Sequence, residues 1–189
     1  KTVALAQYLF QFGFYVPATE AALFPGDEVM LSIDDEQSEF IGLSSFAAEM
    51  LRIDGILGAA ISGRNILALI DEPARTTNPD EGRALVNGLV SILARYGVRG
   101  LVTTHYASIQ APCHKLRVKG LRVSELKEGI SLNTLNNYMD YSLKGVDTGE
   151  VPHEALRIAA VLGVHQELID EASSFLLQMN NANTDDTGK

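Results

Sequence analysis

The sequence has few cysteines, comparatively few basic residues and no long apolar segment. The single cysteine, Cys113, excludes an internal disulfide and suits a reducing compartment, so we expect a cytoplasmic protein. No apolar run approaches the about 20 residues that cross a bilayer, so we expect no membrane partner. Only 15 Lys and Arg residues oppose 24 Asp and Glu residues, which gives a net charge of −9. This balance argues against direct binding of nucleic acid phosphates by this stretch.

The length and the apolar content indicate one sizeable domain with a small appendage. The chain has 189 residues, of which 46% are hydrophobic, and this is ample for a buried core. Strand and helix patterns alternate up to residue 103, which predicts an α/β fold with a mainly parallel sheet. We expect helices at residues 3–12, 44–57 and 80–96, and strands at 14–16, 28–33, 66–70 and 99–103.

The pattern changes after residue 105. Residues 116–123 and 130–143 alternate and contain Gly and Asn turns, which predicts an antiparallel meander at the edge of the sheet. Two helices around Gly163 then predict a C-terminal helix–turn–helix, at 152–162 and from 165 to about 177. This segment is poor in basic residues, so packing or a dimer contact is favoured over reading DNA. The predicted domains are a core at 1–148, the helix–turn–helix at 149–179 and a disordered tail at 180–189.

Two adjacent carboxylates follow the most apolar strand. Residues 66–70 lead directly into Asp71 and Glu72. A continuous apolar run is typical of a strand buried on both faces, and open α/β sheets bind ligands at the carboxyl ends of such strands. In a nucleotide hydrolase the first acid helps to hold the magnesium ion and its ligands, and the second orients or deprotonates the attacking water. The alternative is a strand that simply ends in a polar loop.

The amino terminus is consistent with the same chemistry. Lys1 and Thr2 precede an apolar-rich stretch, as the last residues of a phosphate-binding loop precede their helix. In such a loop the lysine contacts the β and γ phosphates, and the hydroxyl ligates magnesium. Since the preceding glycines are absent, we expect a fragment that begins inside the loop and has little or no ATPase activity by itself. We further expect Lys1 and the two acids to lie at one edge of the sheet.

Four segments, in order, resemble the MutS ATPases. They are Ser44-Ser45-Phe46-x-x-Glu49-Met50, Asp71-Glu72-x-x-Arg75-x-Thr77 with Glu81-Gly82 downstream, Thr104-His105-Tyr106, and residues 163–172, Gly-Val-x-x-x-Leu-Ile-Asp-Glu-Ala. The resemblance covers nearly the whole chain. It implies a P-loop NTPase fold and the C-terminal ATPase domain of a MutS-like protein, related to ABC-type ATPases.

The resemblance also implies ligands and partners. ATP and Mg²⁺ would be bound, and two ATPase domains of a homodimer would sandwich the nucleotide. Other domains of the full-length protein would bind DNA in mismatch repair, and ATP hydrolysis would drive a clamp-like change.

Specific residues take roles within this resemblance. Lys1 would hold phosphate, and Thr2 and Asp71 would hold Mg²⁺. Glu72 would polarise water as the catalytic base, and His105 would sense the γ-phosphate. Ser44 would act on the nucleotide of the opposite subunit; its alternative is an ordinary helix N-cap.

The sequence departs from the family at several positions. Pro73 and Ala74 stand where an apolar residue and Gly are usual, Thr76 replaces a Gly, and Ser45 replaces a Thr. Replacing a glycine removes a residue that tolerates positive φ. These departures indicate a divergent branch rather than the main mismatch-repair enzyme.

Three other functions stay open from the sequence. The domain could serve as a dimerisation module without hydrolysis, or as an ATPase that remodels a protein client. An ABC transporter subunit is less favoured, because no Leu-Ser-Gly-Gly-Gln segment is present. Zinc is rejected, because Cys113-His114 has no further Cys or His at ligand spacing.

Overall fold

The computed structural model describes residues 1–33, 45–122, 134, 136–146 and 155–185. They belong to two compact units, residues 1–113 and residues 114–189. The predicted domain boundary near residue 148 lies outside the described ranges.

The first unit is an α/β domain with a parallel sheet, as the sequence predicts. Its helices are α1 (Thr2–Gln11), α2 (Ser45–Ile61) and α3 (Pro79–Arg95), and its strands are β1 (Glu28–Ser32), β2 (Ile66–Asp71) and β3 (Arg99–Thr103). The sheet order is β1-β2-β3, with both pairs parallel. The most apolar strand, β2, is therefore central, where both of its faces are covered.

Alternate residues of β2 face different helices. Ile66, Ala68 and Ile70 belong to a buried cluster with residues of α2 and α3, such as Ile56 and Leu89. On the other face, Leu69 packs in a cluster with residues of α1 and β1. Because successive side chains of a strand point to opposite faces, a continuous apolar run serves two helical layers at once.

One predicted strand in this unit is wrong. Residues 14–16 form no strand, and Tyr15 is 99% exposed. The left-handed Gly13, at φ +76°, ends the local helical structure and turns the chain outward. An apolar triplet forms a strand only where a neighbouring strand and a buried face are available.

The second unit contains an antiparallel pair and two helices. Strands β4 (Leu116–Leu121) and β5 (Met139–Gly145) form a two-stranded sheet of their own within the described residues, and a 3₁₀ turn, Asn136–Tyr138, precedes β5. The helices are α4 (Ala155–Val161) and α5 (Gln166–Asp185), and Gly163 between them has φ +76°.

The predicted helix–turn–helix is thus confirmed, but α5 extends past its expected end near residue 177. It continues as far as Asp185 into the segment predicted to be a disordered tail, and neither Gly nor Pro lies between residues 166 and 185. Among the helices in the described ranges, none has the length and apolar character to cross a membrane.

Candidate functional site

The two predicted acids lie at the carboxyl edge of the parallel sheet. Asp71 is the last residue of β2, and Glu72 begins the loop that follows. In the pairing of β2 with β3, Asp71 lies directly opposite Thr103, which is the last residue of β3. Both strands therefore end at the same level, and their terminal polar groups meet at one edge.

Thr103 contacts both acids. Its hydroxyl donates a hydrogen bond to Oδ1 of Asp71. The backbone N–H of Glu72 donates to the carbonyl oxygen and to the hydroxyl oxygen of Thr103, each at 3.1 Å. Sequence reasoning missed Thr103, although a Thr at the end of the strand beside an acidic strand end was a usable signal.

His105 lies beside the second acid. Its Nδ1 atom is 3.7 Å from Oε2 of Glu72, and the two side chains are 48% and 44% exposed. The His105 ring packs against Tyr106, with ring centroids 4.3 Å apart. The structure thus brings Asp71, Glu72 and His105 to one solvent-accessible edge, where a carboxylate and an imidazole can both contact a bound group and water.

The direction of α1 takes Lys1 and Thr2 toward this edge. Near the end of α1, the Gln11 side chain donates to the carbonyl oxygen of Gly26, just before β1, at 3.0 Å. Earlier in α1, the Tyr8 hydroxyl donates to the carbonyl oxygen of Val29 in β1 at 3.2 Å. The helix therefore runs antiparallel to β1.

The lengths of the two elements agree with this direction. Thr2 precedes Tyr8 by about 9 Å of helix, and Ser32 follows Val29 by about 10 Å of strand. Ser32 pairs with Ile70, the neighbour of Asp71 in the chain. The start of α1 thus points to the edge that carries the acids, and the roles of Lys1 and Thr2 stay predictions.

A polar cavity of about 240 Å³ adjoins the acids. Its walls come from the end of β1, the start of α2 and the loop after β2, and they include Ser32, Ser45, Glu49, Arg52, Asp71, Glu72 and Arg75. Its volume is below the about 300–1,000 Å³ that is typical of sites for whole small molecules. Glu49 and Arg52 of α2 were missed as candidates, although both fall on the polar side of a helix whose apolar positions were clear.

Two further residues singled out in the sequence are Ser44 and Arg75. Ser44 lies outside the described residues, and α2 is described from Ser45 onward. Arg75 is exposed at the cavity, so its side chain belongs to the same edge as the acids. In the described part of the chain no three His, Cys, Asp or Glu side chains cluster to hold a metal ion. The predicted magnesium ligands are of another kind, since they combine one carboxylate and one hydroxyl with the nucleotide.

Comparison with known proteins agrees with this architecture. The family model for MutS domain V matches residues 1–180. The Endonuclease MutS2 of Thermus thermophilus is 40% identical over 111 residues, which are 59% of this chain and 15% of that protein. The Endonuclease MutS2 of Pelotomaculum thermopropionicum is 33% identical over 177 residues, 93% of this chain and 21% of that protein. The Endonuclease MutS2 of Caldanaerobacter subterraneus is 29% identical over 177 residues, with the same coverage. This chain spans about a fifth of the length of such curated relatives.

Proposed function

This chain belongs to the MutS domain V family, and from that premise we propose that it binds and hydrolyses ATP within a longer MutS-like protein. The observation that carries the proposal is the group formed by Asp71, Glu72 and His105 at the carboxyl edge of the parallel sheet. Open α/β sheets bind ligands at this edge. The start of α1 points to the same edge of the sheet, so Lys1 and the Thr2 hydroxyl would be available there for a triphosphate and its metal ion.

The donor set fits magnesium. Mg²⁺ prefers oxygen ligands and is usually held by one or two protein groups together with phosphates and water. Asp71 offers a carboxylate, and its Oδ1 atom already accepts the Thr103 hydroxyl, which fixes the orientation of the group. When bound, Mg²⁺ would neutralise charge that develops on the phosphates. Thr2 is the second proposed ligand.

The remaining roles follow from position. Glu72 would orient and polarise the attacking water, and Lys1 would contact the β and γ phosphates. His105 would report on the γ-phosphate, since its ring lies 3.7 Å from the Glu72 carboxylate and would respond to a new charge there. A carboxylate and an imidazole that are half exposed remain accessible to both substrate and water.

We also propose that the site is completed by a second subunit. The start of α2 lines the cavity together with the acids, and Ser44 immediately precedes this helix in sequence. A helix start offers backbone N–H groups and a positive dipole end to a phosphate. In this arrangement Ser44 of one subunit would contact the nucleotide of the other, and hydrolysis would drive a clamp-like change in the dimer.

DNA is the proposed client of the full-length protein. The relatives named above are called endonucleases, a class that acts on nucleic acid, and this favours DNA over a protein client. The net charge of −9 argues against phosphate contacts by this stretch, because phosphate binding needs clustered basic residues, so the proposal assigns DNA contacts to other parts of the protein. The departures at residues 73–76 support a branch distinct from the main mismatch-repair enzymes.

Nucleotide assays on the full-length protein test this proposal. We expect ATP binding, magnesium-dependent hydrolysis and a change in turnover when DNA is added. Binding and dimerisation without hydrolysis would instead support a dimerisation module. Turnover that responds to a protein client and not to DNA would support a remodelling ATPase, and no nucleotide binding would refute the proposal.

A further inference from the structure

The backbone of Ala74 is held at both of its polar atoms by side chains from two different elements. Its N–H donates to Oε1 of Glu49 in α2 at 3.0 Å. Its carbonyl oxygen accepts the hydroxyl of Tyr106, which lies after β3, at 2.7 Å. The carbonyl also accepts the N–H of Thr77 at 3.3 Å, which closes the loop.

This residue occupies an unusual backbone conformation. Ala74 has φ +61° and is fully buried, and Glu72 has φ +45°. Non-glycine residues are uncommon in the left-handed region and persist where surrounding contacts hold them. The hydrogen bonds from Glu49 and Tyr106 are such contacts, and they act on the loop that begins with Glu72.

The loop can transmit orientation from Ala74 to Glu72. The two residues are separated by Pro73, which is fully buried and whose ring fixes its φ angle. The backbone between Ala74 and Glu72 can therefore adjust little, so a rotation of the Ala74 peptide should change the orientation of Glu72. Gly82 leaves the space that the Tyr106 side chain needs to donate to the Ala74 carbonyl. A Cβ at position 82 would lie 2.1 Å from the Tyr106 hydroxyl.

We propose that Glu49 is a positioning residue for Glu72, which it orients by holding the amide of Ala74. The inference rests on the proposed role of Glu72 in hydrolysis. Glu49 lies one turn after Ser45, and both line the cavity beside the acids. Glu49 thus connects the first turns of α2 to the loop that carries the base.

A merely structural role for Glu49 makes a different prediction. A carboxylate that only satisfies a buried N–H would contribute to stability, and its loss would lower Tm without a selective effect on the chemical step. A positioning role requires that hydrolysis slows while nucleotide affinity is kept, because Glu72 does not need to be oriented for ATP to bind.

Three substitutions in the full-length protein separate these readings. Glu49→Ala removes the acceptor, and a misplaced base should lower kcat about 10- to 100-fold with the Kd for ATP unchanged. Glu49→Gln keeps an oxygen acceptor for the Ala74 N–H and should retain most of the wild-type kcat. Tyr106→Phe removes one of the two hydrogen bonds that the Ala74 carbonyl accepts and leaves the bond from Thr77. It should also slow hydrolysis, so the link between the hold on Ala74 and the chemical step stays testable if Glu49→Ala fails to fold.

A matched control comes from the opposite edge of the sheet. Glu28 at the start of β1 accepts a hydrogen bond from Arg64, so Glu28→Ala also removes a bonded carboxylate. It should leave kcat at the wild-type value. Hydrogen–deuterium exchange of the peptide that contains Ala74 should accelerate in Glu49→Ala but not in Glu49→Gln or Glu28→Ala.

The outcomes distinguish this inference from the proposed function. A wild-type protein without ATP turnover refutes the proposed function, and amide exchange then still decides whether Glu49 holds Ala74. Wild-type turnover with an unchanged kcat in Glu49→Ala refutes the positioning role alone. An equal loss of kcat in Glu49→Gln, with the Ala74 amide still protected, also refutes it, because the charge and not the hydrogen bond would then matter.

Discussion

The hydroxyl of Thr103 donates a hydrogen bond to the carboxylate of Asp71, and the two residues face each other as the last partners of β3 and β2. The same threonine also accepts the backbone N–H of Glu72. One residue thus orients the proposed magnesium ligand and fixes the start of the loop that carries the proposed base. The parallel register produces this arrangement, because it ends both strands at the same level.

Thr103→Val should weaken magnesium binding. The substitution keeps the β-branched shape but removes the hydroxyl, so the Asp71 carboxylate loses an orienting hydrogen bond. Loss of such supporting contacts typically costs about 10- to 100-fold in metal affinity. Hydrolysis measured against magnesium concentration in the full-length protein should shift to higher concentrations and recover at saturation. Thr103→Ser retains the hydroxyl and should behave as wild type, and equal magnesium dependence in all three proteins would contradict the role of Thr103.

Gly82→Ala should destabilise the protein although alanine is the better helix former. Gly82 lies in the first turns of α3, where the exchange alone would stabilise by about 1 kcal/mol. An added Cβ would lie 2.1 Å from the Tyr106 hydroxyl and 2.5 Å from its ring, so the ring must move. Overpacking of this kind costs about 1–3 kcal/mol and outweighs the gain in propensity. Denaturant unfolding measures the difference.

Two comparisons check the cause of this destabilisation. Gly88 lies in the same helix, and an added Cβ there would meet no atom within 4 Å, so Gly88→Ala should be stabilising. In a Tyr106→Ala background, Gly82→Ala should lose its penalty, because the clashing ring is gone. A penalty of the same size in both backgrounds would show that Tyr106 is not its source.

Ser142→Ala should raise the pKa of Asp140 in β5. The hydroxyl and the backbone N–H of Ser142 both donate to this carboxylate, and they hold its pKa below the ordinary value, with smaller contributions from Lys119 and Arg122. A lowered pKa means that the contribution to stability is present above the ordinary pKa of Asp. It is lost as pH falls through the folded-state pKa.

An NMR titration of the Asp140 carboxyl carbon measures this change. Lys119→Met should shift the midpoint less than Ser142→Ala, because the charge of Lys119 lowers the pKa less than the Ser142 hydroxyl does, and that hydroxyl is the donor that Ser142→Ala removes. The reverse order would contradict this assignment.

Much of the fold follows from the sequence because its patterns are local. The apolar run at 66–70 predicts a central buried strand, and β2 occupies that position. Residues 99–103 form β3 as expected, and Gly163 separates two helices. The strand predicted at 14–16 fails because a short apolar triplet does not specify a partner strand.

The site is less accessible to sequence reasoning. The sequence does show three of its residues, Asp71, Glu72 and His105. Each is a polar residue that follows an apolar strand, and that pattern is visible without a structure. Ala74 and Thr76 both stand where the family usually has Gly, and the structure has a positive φ at Ala74. The other positive φ angle in this loop lies at Glu72, where no such departure signalled it. Glu49 and Tyr106 reach Ala74 from other elements, and contacts of that kind depend on packing that no single segment encodes.

The most direct test of the central claim is single-turnover ATP hydrolysis by Glu72→Gln in the full-length protein. Removing the base should leave ATP binding nearly intact and slow hydrolysis by about 100-fold or more, because the amide cannot accept a proton from water. Glu28→Gln serves as the control and should retain wild-type turnover. Equal hydrolysis by Glu72→Gln and the wild type would contradict the account.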